Sequence, residues 1–179
     1  GGLIAAPMEG AAIVGWDPVS KADGGGDGAT AYRLSWSFDN GATFPNSVIV
    51  QNTHDGAYFH DGLTNGQMIS YRISSFIEGA ESAPSPTVGP ITIGTPTGGV
   101  NVSGTITFGG SAAGHSLWIL LIEQTKSGKA FGTRIMSPVS PQNFTISGVQ
   151  PGNYMLFAAV DMDDNGQISI GDKRPDMSN

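Results

Sequence analysis

No cysteine occurs among the 179 residues, which excludes disulfides, thiolate zinc sites and covalently attached haem. Positive charge is also scarce: eight Lys and Arg stand against fifteen Asp and Glu, for a formal net charge of −7. Nucleic-acid binding rests on clustered Lys and Arg, and no basic stripe is present, so no nucleic-acid partner is expected. No apolar run approaches the roughly 18 residues needed to cross a bilayer, so no membrane span is expected either. The sequence begins at Gly1 without an initiator methionine or a signal-peptide pattern. It is therefore expected to be a fragment or a processed product, with anchoring signals outside it.

Catalytic patterns are missing too. There is no Gly-x-Ser-x-Gly elbow, no phosphate loop and no His-Glu-x-x-His pattern, and the histidines have no recognisable serine nucleophile. No enzyme activity is expected of these residues.

What is abundant is turn chemistry. The chain has 27 glycines and 11 prolines, and only 13% of its residues are charged, so the surfaces that favour helices are largely absent. Thr, Ser, Val, Ile and aromatic residues fill short runs between the glycines, an all-β composition. Strands are expected at Ala12–Trp16, Ala31–Ser37, Ser47–Gln51, Ala57–His60, Met68–Phe76 and Thr87–Ile93. They are expected again at Val100–Phe108, Ser116–Glu123, Gly132–Met136, Gln142–Ile146 and Tyr154–Val160. Alternation is clearest in Tyr32-Arg33-Leu34-Ser35-Trp36, which puts Tyr32, Leu34 and Trp36 on one face. Leu117–Ile122 is a continuous apolar run that includes Trp118, and it reads as buried. Asp23–Gly28 is a glycine-rich loop and Gly94–Gly99 a short connector.

Five segments arrive in an order that resembles a bacterial fibronectin type III domain. They are Gly15-Trp16-Asp17-Pro18, Tyr32-Arg33-Leu34, Leu63-Thr64-Asn65-Gly66, Tyr71-Arg72-Ile73 and Glu81-Ser82-Ala83-Pro84-Ser85. In that family a tyrosine usually follows the leucine by six residues and ties down a corner. Here that position is Ile69, and Tyr71 follows two residues later. Further on, Val102-Ser103-Gly104-Thr105-Ile106 and Phe144–Tyr154 resemble carboxypeptidase-regulatory-like and Cna-B-like domains. The resemblances imply two tandem Ig-like β-sandwiches: residues 1–94 of fibronectin type III type, a linker at 95–99, and residues 100–179 as a transthyretin-like sandwich. They also imply a secreted or cell-surface bacterial protein, with other domains of a parent chain as its neighbours.

The segment richest in chemistry is Asp161-Met162-Asp163-Asp164-Asn165-Gly166-Gln167-Ile168-Ser169-Ile170-Gly171-Asp172. Oxygen-bearing side chains at Asp161, Asp163, Asn165, Ser169 and Asp172, with the Gln167 backbone carbonyl, have the spacing of a loop that wraps Ca2+. Gly166 permits the sharp turn. Most acids of the second half fall in this loop or just beyond it, and packed carboxylates repel one another unless a cation offsets them. The loop follows a strand and no helix is available after it, so the expectation is a structural calcium site, not a sensor. The competing reading is an ordinary Asp-Asn-Gly turn.

Other motifs favour blander readings. Ser37–Phe44 resembles an Asp-box but occurs once, and Asp39-Asn40-Gly41 reads as a hairpin turn. His54-Asp55 and His60-Asp61 repeat six residues apart without an evident third metal ligand. Trp16, Trp36, Tyr32, Tyr71 and Trp118 are better used in cores than as a sugar-stacking platform. The expected function is a non-catalytic, calcium-stiffened spacer or interaction segment, with the cation at the distal end of the second sandwich. The alternatives are an adhesion or carbohydrate-binding module contacting a glycan or surface protein, an accessory segment of a secreted hydrolase, or a surface-filament subunit.

Overall fold

The computed structural model describes residues 2–19, 28–51, 56–124 and 129–167. Among these the chain is all-β. The N-terminal half contains β1 (Leu3–Met8), β2 (Ala11–Trp16), β3 (Ala31–Ser37), β4 (Asn46–Gln51), β5 (Ala57–His60), β6 (Met68–Ile77), β7 (Ala80–Glu81) and β8 (Val88–Thr92). The C-terminal half contains β9 (Val100–Ile106), β10 (Ser116–Glu123), β11 (Ala130–Met136), β12 (Gln142–Val149) and β13 (Tyr154–Asp161). No helix among the described residues is long and apolar enough to cross a membrane.

Four antiparallel sheets result, ordered β4-β3-β6-β7 with β8 also on β6, β1-β2-β5, β11-β10-β13, and β12-β9. The first two close on a core of Ala12, Val14, Trp16, Tyr32, Leu34, Val50, Ile69 and Tyr71. The last two close on Phe108, Leu117, Ile119, Leu121, Phe144, Ile146 and Val160. Each pair is an Ig-like sandwich, with the inward residues of both sheets filling the space between them.

A third apolar cluster joins the sandwiches. Ala6, Met8, Ala11, Ile13, Ala57 and Phe59 from β1, β2 and β5 meet Trp118, Leu120, Ala130 and Ala159 from β10, β11 and β13. The two middle sheets are therefore buried on both faces, and the sandwiches lie face against face. This explains why Leu117–Ile122 does not alternate. Leu117, Ile119 and Leu121 enter the second core, while Trp118 and Leu120 enter the seam. The same double burial accounts for β1, which the sequence reading did not expect. Ala5 faces the first core and Ala6 and Met8 face the seam, so no polar position marks a solvent side. The two-residue β7 was missed as well, because a bridge so short has no period to read.

The connector is docked. Gly148 has φ 73°, and a Cβ built there would lie 2.3 Å from the Pro96 carbonyl oxygen. Gly94 N donates to the Met8 carbonyl at 2.9 Å. The connector backbone thus passes where only glycine lets β12 admit it.

Candidate functional site

The acidic loop begins where β13 ends. Asp161 is 5% exposed, and its carboxylate turns back over the loop, accepting Asn165 N at 3.2 Å and Gly166 N at 2.9 Å. Asp163 accepts the same Asn165 N at 3.4 Å and Asn165 Nδ2 at 2.7 Å. Asn165 Oδ1 in turn accepts Gln167 N at 2.6 Å. These are Asx-type bonds, in which short side chains capture backbone amides a few residues on. They bring Asp161, Asp163 and Asn165 together around one turn. Asp164, at φ 54°, points elsewhere and pairs with His115 Nδ1 at 3.1 Å. Ser169 and Asp172 lie outside the described residues. Among the described residues, no three His, Cys, Asp or Glu side chains converge as a metal cluster. The described part of the loop contributes hard oxygen donors of the kind calcium takes, and Asp161 and Asp163 both reach the Asn165 amide.

The loop's position corrects one expectation. It is not at a distal end but lies against the N-terminal sandwich. Phe59 N donates to the Gly166 carbonyl at 2.7 Å, and Tyr58 and Gln167 form an isolated antiparallel bridge. A Cβ built at Gly166 would sit 3.1 Å from the Phe59 carbonyl oxygen and 3.5 Å from the Tyr58 ring. Only a small residue lets the loop come so near β5. The cause is the face-to-face packing, which brings the end of β13 beside β5.

Further contacts hold the seam next to the loop. Phe59 stacks on Trp118 with centroids 4.3 Å apart and planes inclined 19°. The Arg134 guanidinium lies 5.3 Å from the Trp118 centroid and forms an ion pair with Asp61. Sequence reasoning missed this set because its members are remote in the chain. The available signal was β2, where Ala11-Ala12-Ile13-Val14 is apolar on both faces, the mark of a strand covered on two sides.

The histidine repeat does not form a metal site among the described residues; His54 and Asp55 lie outside them. His60 is 8% exposed, with its Nδ1 at 2.8 Å from the Tyr71 hydroxyl and its ring 4.4 Å from Trp36. Burial lowers its pKa to about 4, against a smaller raising effect from Asp61, and burial holds the Tyr71 phenol well above its usual range. A protonated phenol beside a neutral imidazole forms a hydrogen bond in which no charge is buried. The Tyr71 hydroxyl is thereby engaged, two positions from where a corner tyrosine would stand.

The aromatic residues are structural. Trp16, Tyr32, Tyr71 and Trp118 are buried, and Trp36 packs against the first core. A cleft of about 520 Å³ opens beside the seam, lined by Met8, Glu9, Thr95, Arg134 and Ser147 among others, with no aromatic ring in its walls.

Asp39-Asn40-Gly41 lies in the β3–β4 hairpin as expected, within a connection longer than a two-residue turn. Asn40 and Gly41 have φ 62° and 83°. The Asp39 carboxylate accepts Thr43 N at 2.9 Å and Thr43 Oγ1 at 2.5 Å and is also bonded by Ser37 Oγ. The Ser37 and Thr43 hydrogen bonds hold its pKa well below the usual carboxylate range. The motif braces its own turn.

No protein-family model matches this chain, and no curated protein does. Among solved structures it is similar to the chicken CNTN1 FN1-FN3 domains, with 11% identity and a TM-score of 0.44 over 89% of this chain and 59% of that one. It is similar also to a two-domain fibronectin type III segment of chicken tenascin, with 15% identity and a TM-score of 0.39 over 97% and 94%. The chain spans less than two thirds of the length of the CNTN1 structure.

Proposed function

We propose that this chain is a non-catalytic, calcium-stiffened structural and interaction segment of a secreted or cell-surface bacterial protein. In this reading a fibronectin type III-type module (about 1–94) is followed by a transthyretin-like module of carboxypeptidase-regulatory or Cna-B type (100–179). The observation that carries the reading is the acidic loop clamped to β5. Asp161 and Asp163 meet at the Asn165 amide, and Gly166 is bonded to Phe59. Asp161, Asp163 and Asn165 would supply side-chain oxygens, Gln167 a backbone carbonyl, and Ser169 and Asp172 the remainder. The ion would offset repulsion among these carboxylates and hold the turn in the shape that reaches β5. It would thus stiffen the joint between the sandwiches.

Calcium sites in extracellular modules bind with dissociation constants of about 10⁻⁴–10⁻³ M. At roughly tenfold excess over such a constant, binding adds about 1.4 kcal/mol, a rise in Tm of roughly 3–6 °C for a chain of this size. The test is calorimetric titration with calcium together with thermal melts in calcium and in chelator. Because the loop bonds to β5, both halves are expected to gain stability together. A melt that is the same with calcium and with chelator sinks the proposal, and Asp163→Ala is expected to abolish the difference.

A further inference from the structure

β4 is the edge of its sheet. It pairs with β3 alone, and no other described strand lies along its far side. Its register with β3 runs unbroken from Ala31↔Gln51 to Trp36↔Asn46, so no bulge twists the edge away. The strand reads Asn46-Ser47-Val48-Ile49-Val50-Gln51, with no charge, proline or glycine. Natural sheets blunt their edges with lysine, proline, bulges or very short strands. The opposite side of this sheet does so: β8 carries Pro90 and has a register shift against β6. β4 has none of these devices.

The order of residues along β4 indicates what pairs with it. Val50 is fully buried and belongs to the first core, with Val48 packed against that core. Ser47 and Gln51 face outward, and Ile49 is 39% exposed. Around Ile49 the strand is a near palindrome, polar-Val-Ile-Val-polar. An antiparallel pair related by a two-fold axis at Ile49 therefore sets Ile49 against the partner's Ile49. It sets Val48 against the partner's Val50, and Ser47 against the partner's Gln51. Every position meets one of its own kind, as a self-complementary two-fold interface requires.

Charge points the same way. On the outer face Ile49 lies beside Arg33, which is tied to Glu81 at 2.9 Å. The two isoleucines would separate these neutralised arginines. In a chain with a net charge of −7, an uncharged edge is where two copies approach with least repulsion.

We infer that β4 is a homodimerisation edge, at which a second copy of this chain adds its own β4 antiparallel about Ile49 and continues the sheet across the two-fold axis. A single strand edge buries little area, so the dimer is weak and concentration-dependent. Sedimentation velocity over a concentration series is expected to show a reversible monomer–dimer equilibrium. Ile49→Lys and Ile49→Glu each place like charges face to face and are expected to give monomers with circular dichroism spectra unchanged, because the side chain is partly exposed. Mixing the two variants sets Lys against Glu and is expected to restore the dimer.

The absence of native cysteine allows an independent check of register. Ile49→Cys is expected to form a disulfide-linked dimer on oxidation, because directly opposed Cβ atoms lie about 4.5–5.5 Å apart. Ser47→Cys, facing the partner's Gln51, is expected not to. A monomer at every concentration, a dimer indifferent to both charged variants, or equal cross-linking at the two cysteine positions would each overturn the inference.

Discussion

His60 is held neutral by its surroundings. Trp36, Tyr58 and Tyr71 enclose the ring, and burial lowers its pKa from 6.5 to about 4. In the unfolded chain the same imidazole takes up a proton below its ordinary value, whereas the folded one does not until near pH 4. The unfolded state thus binds more protons across that interval, so stability falls as pH falls from about 6.5 to about 4. The upper bound on this loss is roughly 3 kcal/mol. Urea unfolding at neutral and acid pH is expected to show a steeper loss in the native chain than in His60→Gln. That variant keeps a hydrogen-bonding partner for the Tyr71 hydroxyl, as its amide can donate or accept, but does not titrate. Parallel pH profiles for the two would remove His60 as the cause. The residue was legible in the sequence only as half of a His-Asp repeat. Its neutrality follows from burial among Trp36 and Tyr71, which β3 and β6 bring to it, and Tyr58 of its own strand.

At the scale of strands and connectors, two glycines with almost the same backbone separate strain from close approach. Gly148 and Gly62 have φ 73° and 72°. A Cβ at Gly148 would strike the Pro96 carbonyl oxygen at 2.3 Å, while one at Gly62 would meet nothing within 4 Å. Gly62→Ala is expected to cost only the left-handed strain of about 1–2 kcal/mol. Gly148→Ala is expected to cost at least about 2 kcal/mol more, since connector or strand must move. Chemical denaturation of the two variants measures the difference, and equal losses would mean that the connector is not docked. Strand positions were legible where polar and apolar residues alternate: Tyr32, Leu34 and Trp36 alternate with Arg33 and Ser35, and β3 formed where alternation placed it. They were illegible at Leu3–Met8, where small apolar residues face two cores and Pro7 argues against a strand.

At the scale of the molecule, the shared apolar seam is expected to make two sandwiches unfold as one body. Burying Leu120 or Phe59 contributes about 1.5–3 kcal/mol each relative to exposure, and neither contact exists in a separated half. Calorimetry is therefore expected to show a single unfolding transition with calorimetric and van't Hoff enthalpies in agreement. Two resolved transitions would show that the seam is too weak to couple the halves. Leu120→Ala, which leaves the second core untouched, is expected to lower that single transition by about 2–5 kcal/mol of stability. The face-to-face packing also changes where the proposed cation would act. Stiffening would act at the joint between the sandwiches, through Phe59 and Gly166, and not at the end of a rod.

By itself the sequence determined the class of structure and most of its strands. Turn glycines, β-branched runs and the scarcity of charge act locally and need no partner to be read. It also determined that Asp161, Asp163 and Asn165 belong to one turn, because Asx chemistry operates over two to five residues. What lies against that turn, why β10 has no polar side, and that the Tyr71 hydroxyl answers His60 emerge only in the packed chain. Those facts depend on which faces meet after the chain has collapsed, and apolar burial is non-directional. A strand apolar on both sides specifies that two layers cover it, and packing alone specifies which two.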